Sequence, residues 1–381
     1  MGNGLNSDIL QTNRLLKETG DMQHVTVYRC NGRYAGWPAN YGIWSWGDEI
    51  VTGFILGFHD GDGGTHARDT ERPFVAMQAR SLDGGHTWGN IQAPLLAPGN
   101  LGISADEHMS SPEGPVAERA NAPSSHRGGI NFTRPDFAML CARTGLKAGA
   151  ESWFYTSTDR CRSWSGPFTL PMFEQLGVAA RTDYLTYGRD QPQKATLLLT
   201  ASKLDGEEGR VFCARTEDGG KSFNFVSWLR PAPSGFDIMP ASIKLESDGI
   251  VTAIRSRSAS GTRNWIDLMR SDDDGQTWRF ISTPVPDTGR GGNPPAMINL
   301  SDGRICLIYG YRDRPSGIRA VLSGDEGQSW SEDIVLRHDG GNHDIGYPRA
   351  IQRSDGNVVV IYYYNDSVYG ERYIAATIWK P

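Results

Sequence analysis

Arginine supplies most of the positive charge in this chain of 381 residues: 31 of its 38 basic residues are Arg and only 7 are Lys. A guanidinium is a planar fork that matches a carboxylate bidentately, whereas an ammonium is a point charge. Several of these arginines stand next to other groups able to do chemistry. The runs are Arg181-Thr-Asp183-Tyr184, Arg255-Ser-Arg257, Tyr311-Arg312-Asp313 and His343-Asp344-Ile-Gly-Tyr347-Pro-Arg349. Trp37-Pro-Ala-Asn40, His59-Asp60, Asn131-Phe-Thr-Arg134 and Asp237-Ile-Met239-Pro240 add further polar and aromatic groups. Brought to one place, such residues would hold an anionic ligand through Arg and move protons through Asp, Tyr or His. The plainer reading is a composition rich in Arg whose charges pair with one another along a wet channel.

A repeat provides the means of bringing them together. Five copies of Ser/Thr-x-Asp-x-Gly-x-Thr/Ser-aromatic begin at Ser81, Ser157, Thr216, Ser271 and Ser323. Two are worn, with Cys161 in place of Gly in the second and Phe223 in place of Trp in the third. Their aspartates, Asp83, Asp159, Asp218, Asp273 and Asp325, are 76, 59, 55 and 52 residues apart, which suits a four-stranded unit plus loops. In each copy Asp and Ser/Thr bond nearby backbone N–H groups, Gly supplies a positive φ, and the aromatic packs the hairpin down. The copies are structural.

Alternating and β-branched runs then predict an all-β, six-bladed β-propeller. Its inner strands are expected at Trp37–Trp46, Gly129–Phe132, Arg181–Tyr187, Pro240–Leu245, Pro295–Leu300 and Gly346–Gln352. The last blade has only three strands near the C-terminus, and His24–Tyr28 is its natural fourth. Residues 24–381 read as one propeller domain after an N-terminal extension, 1–23, with a long Pro/Ser/Ala-rich loop at about 96–128 that would cover one face. In such a ring, inner-strand starts and second-strand ends crowd one mouth of the channel, which gathers the runs quoted above.

Composition narrows the function. A net charge of −6 argues against a nucleic-acid partner. No apolar run approaches the ~18 residues of a membrane helix, and the polar start lacks the apolar centre of a signal peptide, which leans towards the cytoplasm. Five cysteines without metal-ligand spacing are expected reduced and buried. Asp60-Gly-Asp62-Gly-Gly opens like a calcium loop, but Gly64 and Thr65 fall where a ligand and the turn Gly belong. No metal and no cofactor are expected. Trp88, Trp164, Trp278 and Trp330 belong to the repeats, which leaves Trp37, Trp44 and Trp46 to stack on a sugar.

The repeats resemble the Asp-boxes, or bacterial neuraminidase repeats, of the sialidase superfamily, and the resemblance runs over roughly residues 24–381. It implies a site in which three Arg clamp a substrate carboxylate, an Asp is the acid/base, and a Glu activates a nucleophilic Tyr. Tyr347 and the strand after it are similar to the segment bearing that Tyr. Asp69, 12 residues before Ser81, falls where the acid/base is expected, and His59, Asp60, Asp62 and His66 of the same Gly-rich loop compete for that place. Arg255 or Arg257, and Arg312 or Arg314, match two clamp positions. Three positions depart from the pattern: Trp37 stands in place of the first Arg, Met239 in place of the Glu, and Asn365 in place of an acid supporting the clamp. The resemblance thus implies an exo-acting glycoside hydrolase on an acidic terminal sugar. Tyr347, Asp69 and Asp237 (base or partner to Tyr347) would be catalytic. Arg134, Arg181, Arg255, Arg257, Arg312, Arg349, His59 and Trp37 would bind substrate. A lyase on a uronate-containing glycan, with Tyr347, His59 or His343 as base, is the alternative reading. A non-catalytic glycan-binding propeller is the third.

Overall fold

The computed structural model describes residues 22–61, 66–98, 103 and 121–381. Its strands form six antiparallel sheets arranged as the blades of a propeller. Residues 1–21 of the expected N-terminal extension and most of the 96–128 loop lie outside the described residues, and Gln23 already belongs to a strand.

The second strand of each blade is the most apolar. Glu49–Phe58, Ala195–Ser202 and Val358–Tyr364 are buried almost throughout, because neighbouring blades cover both of their faces. Such strands read as continuous apolar runs rather than alternating ones. Outermost strands, such as Gly89–Gln92 and Asn224–Trp228, alternate poorly and stay partly exposed. The ring closes as the sequence suggests. Gln23–Tyr28 pairs with Tyr373–Trp379, and His24 Nδ1 lies 3.0 Å from Thr377 Oγ1. One core cluster spans this closure, joining Tyr34, Phe54 and Met77 to Val359, Ile361 and Ile374.

The inner strands differ from expectation in four blades, the fourth-blade strand simply starting earlier, as Phe236–Lys244. In the first blade the strand begins earlier, as Arg33–Gly36, is broken by a 3-10 turn at Pro38–Asn40, and resumes as Ile43–Trp46. In the third blade it is split into Val178–Ala179 and Tyr184–Thr186. In the second blade Gly129–Phe132 forms no strand, and the sheet there has three strands. Gly128 and Gly129 take positive φ, and the backbone N–H groups of Gly129 and Ile130 bond to Asp218 and Gly219, in the turn of the next blade. Four cysteines are buried, but Cys30 is exposed, contrary to expectation.

The repeats sit at hairpins on the face opposite the inner-strand starts. In the fourth copy Asp273 Oδ1 accepts from Thr277 N–H at 2.8 Å, and Asp273 Oδ2 accepts from the Thr277 hydroxyl at 2.5 Å. These bonds to Thr277 lead the causes that hold the Asp273 carboxyl down at about 2.

Two outcomes follow from this arrangement. Deleting residues 1–28 opens the ring and bares a sheet edge, and is expected to lower the melting temperature by on the order of 5–10 °C. Asp273→Ala is expected to cost roughly 1–2 kcal/mol at pH 7 with turnover per folded molecule unchanged. Because its carboxyl titrates lower in the folded chain than in the unfolded one, that difference should persist down to pH ~4 and fade towards pH ~2. Melting curves of both proteins across this range test it.

Candidate active site

Three bulky residues project into the mouth by the same backbone device. Trp37, Met239 and Tyr347 each precede a proline and adopt left-handed φ of 58°, 52° and 51°. Proline has no N–H for the ladder and bars the preceding residue from the helical region. The pairing accordingly skips between Ile238 and Ala241 and between Gly346 and Arg349. Left-handed φ in a large side chain costs roughly 1–3 kcal/mol and persists only where the surroundings enforce it. At Tyr347 the enforcing residue is buried Asn293. Its Oδ1 accepts from the Tyr347 N–H at 3.0 Å, and its Nδ2 donates to Ile345 O at 2.9 Å. Asn293 lies so close to Gly346 (φ 103°) that a Cβ there would meet its Nδ2 at 2.4 Å.

Three guanidinium groups surround the Tyr347 ring and hydroxyl. Arg255 Nη1 donates to Tyr347 Oη at 3.2 Å, and its Nη2 is fixed by Gly291 O at 2.6 Å. Arg312 is held by Ile345 O and by Tyr363 Oη at 2.7 Å, with its Cζ 5.5 Å from the Tyr347 ring. Arg181 is anchored by Asn40 Oδ1 at 3.0 Å and Glu208 Oε1 at 3.4 Å. Burial pushes the Tyr347 phenol up, but Arg255, Arg312 and Arg181 outweigh it and bring the phenol below its ordinary value. Arg255 Nε and Arg181 Nη1 are buried donors without a hydrogen-bond partner among the described residues.

A second network adjoins the first. Buried Asp344 accepts from Tyr363 Oη at 2.7 Å and from Arg372 Nε at 2.8 Å, and His66 Nδ1 lies 2.7 Å from the same carboxylate. Burial disfavours its charge, yet His66, Arg372 and Arg312 hold the carboxyl well below the usual range. Asn365 donates to Asp344 O at 2.9 Å and so fixes the loop that carries it. The Trp37 ring touches both networks, with His66 at 5.1 Å and Tyr347 at 6.4 Å between centroids.

Not every expected site residue reaches this place. Asp237 does not partner Tyr347: its carboxylate is taken by Arg230 and by the Ser256 hydroxyl at 2.8 Å. Arg134 is exposed and lies towards the repeat face, because the second blade lacks the inner strand that would have aimed it at the mouth. Arg349 is spent in mid-channel, where Nη2 donates to Ala39 O at 2.7 Å and Thr182 O at 2.5 Å. His59 turns to Tyr369 O at 3.1 Å. Trp37 is buried as a wall rather than offered as a stacking platform. Arg257 packs over Phe236, and Asp69 caps its own loop by accepting from Glu71 N–H at 2.9 Å. Trp44 and Trp46 belong to the opposite end, bonded to Tyr184 Oη and Pro135 O. There a separate cavity of about 360 Å³ is lined by Trp44, Phe132, Phe137, Tyr184, Asp183 and Arg349. Sequence reasoning missed Tyr363, Arg372 and the anchoring role of Asn293. The polar runs at His343-Asp344 and Asn293-Pro294 were their only signal.

A six-bladed ring with repeat hairpins on one face and an Arg-lined mouth on the other defines an Asp-box propeller. A profile described as a BNR repeat-like domain matches residues 137–360, and the chain belongs to that family. No curated protein matches. Among solved structures, a protein of unknown function from Dyadobacter fermentans superposes with a TM-score of 0.69 at 21% identity, covering 94% of this chain and 98% of that one. Trypanosoma rangeli sialidase in complex with sialic acid gives 0.55 at 12% identity, covering 94% of this chain and 59% of that one. NanB sialidase from Streptococcus pneumoniae gives 0.58 at 11%, covering 93% and 70%. The fold is that of the sialidases.

The field around Tyr347 can be read directly. The difference in alkaline ultraviolet titration between wild type and Tyr347→Phe should be one phenol ionising below pH ~10. A difference curve centred above that value would contradict the balance of burial and guanidinium charge described here.

Proposed function

We propose that the protein is an exo-acting glycoside hydrolase for glycans ending in an acidic sugar. The observation that carries this is the set of three guanidinium groups, Arg181, Arg255 and Arg312, around the hydroxyl of Tyr347. The unpaired buried donors Arg181 Nη1 and Arg255 Nε call for an acceptor-rich anion, and a sugar carboxylate fits that need. With the carboxylate neutralised by Arg, Tyr347 is free to approach the anomeric carbon and to attack or stabilise an oxocarbenium-like centre. The acid that protonates the leaving oxygen would come from the loop bearing His66 and Asp69. Trp37 and Met239 replace a clamp Arg and an activating Glu, so ordinary sialosides are expected to be poor substrates.

The depressed phenol also favours a second reading, a lyase in which Tyr347 removes the proton next to a uronate carboxylate. A new ultraviolet absorbance from an unsaturated product would select this over hydrolysis.

Tyr347→Phe should keep the fold, since the ring still fills its place, and lower turnover by about 10²–10⁴. Arg255→Lys and Arg312→Lys keep the charge but lose the fork, and should raise KM by about 10–100-fold. Steady-state kinetics on a panel of sialosides, glucuronides and galacturonides, with neutral glycosides as controls, test this. Wild-type turnover by Tyr347→Phe, or equal rates on neutral sugars, would overturn the reading.

A further inference from the structure

His66 is the one histidine whose ring is gripped by a buried carboxylate at this mouth, among the described residues. Asp344 holds its Nδ1 at 2.7 Å and is itself locked by Tyr363 and Arg372, so the ring has a fixed orientation. The Trp37 edge contact at 5.1 Å fixes the other side of the ring. The His66 side chain is 24% exposed while Asp344 is 1% exposed, so one end of the pair is wet and the other dry. A carboxylate on Nδ1 leaves Nε2 as the nitrogen that exchanges a proton with whatever enters the mouth. Asp69, by contrast, spends a carboxylate oxygen on the backbone of its own loop.

We propose that His66, oriented by Asp344, is the proton donor to the leaving group in this site; the inference rests on the hydrolase reading above. In the bond-breaking step the Nε2–H proton passes to the glycosidic oxygen while the C–O electron pair moves onto that oxygen. His66 is left neutral and is recharged by the proton of the water that completes hydrolysis. Asp344 is a positioning residue, which fixes the orientation and tautomer of the ring. The groups facing His66 are Asp344, Tyr363, Arg372 and His343 of the last blade and its approach, Arg312 of the fifth blade, and Trp37 and Arg68 of the first.

The test compares two leaving groups on the same acidic sugars, a dinitrophenyl group that departs without protonation and a methyl group that needs it. His66→Gln should lose about 10²–10³-fold on the methyl glycoside and stay within a few-fold of wild type on the dinitrophenyl one. The wild-type rate on the methyl glycoside should fall as pH rises through the histidine range, and this limb should be absent for the dinitrophenyl substrate. Asp344→Asn should show a smaller version of the same selective loss on the methyl glycoside, because the ring loses the contact that orients it. If His66→Gln is equally impaired on both substrates, or on neither, the proposal is wrong. It is also wrong if Asp69→Asn shows the selective loss instead. A wild type that cleaves neither substrate overturns the hydrolase reading itself, a distinct result. Should His66→Gln not fold, the two wild-type pH profiles decide, since identical profiles would refute a protonating histidine.

Discussion

The channel is held by one guanidinium. Arg349 reaches from the last blade to carbonyls of the first and third blades, Ala39 and Thr182, and both acceptors lie where an inner strand is interrupted. Those interruptions create the site. The turn ending at Asn40 carries the Oδ1 that anchors Arg181, and it starts from the left-handed Trp37. The break in the third blade places Arg181 on one side of the strut and Asp183 on the other. A buried charge without a direct carboxylate partner costs several kcal/mol unless its donors are satisfied. Here two backbone carbonyls take Nη2, which continuous strands could not have spared, while Nε is buried without a hydrogen-bond partner among the described residues. The strut also separates the Arg-lined mouth from the aromatic cavity near the repeat face, where burial pushes the Asp183 carboxyl up to about 6.

Around Tyr347 the fold separates cations from anions. Asp237 is neutralised behind the strand by Arg230 and Ser256. Asp344 is wrapped by His66, Tyr363 and Arg372, so little of its charge reaches the channel uncompensated. Glu208 takes only one corner of Arg181. What faces the phenol is therefore a positive field with few fixed anions, and removing water from such a site strengthens the field. Strained φ at Trp37, Met239 and Tyr347 belongs to the same design, since regular pairing would have turned these side chains along the strand face instead of into the opening.

The repeats were legible because their turn chemistry is local: five residues decide each hairpin, and Asp273 and Thr277 bond as their spacing requires. The second strands and the closing N-terminal strand were legible too, being long apolar or alternating runs. The aim of individual mouth residues was not. Side-chain direction in a strand has period two, so one bulge reverses it. Asp237 and Met239 illustrate this: an expected neighbour of Tyr347 points away, while the residue two positions on turns inward. Arg134 failed for another reason. The expected inner strand beside it, Gly129–Phe132, is replaced by a loop bonded to the next blade, a long-range choice that no local pattern records. His66 lies 278 residues from Asp344, and only ring closure brings it to the Asp344, Tyr363 and Arg372 network of the last blade.

At Met239 the site sets a thioether, not a carboxylate, against a guanidinium. A carboxylate there would sit against Arg255, which now donates to the Met239 sulfur at 3.5 Å and the Tyr347 hydroxyl at 3.2 Å. It would consume the donor that reaches the phenol and replace a proton-acidifying contact by a proton-accepting one. With a thioether, Arg255 is left to Tyr347, and the phenol is brought down by charge rather than by a base. The same trade explains why Trp37 is compatible with a clamp of three guanidinium groups. Arg181, entering through the broken third blade, restores the third positive charge, while the indole seals the wall between Tyr347 and His66. Trp37, Met239 and Arg181 thus belong to one distribution of charge around Tyr347.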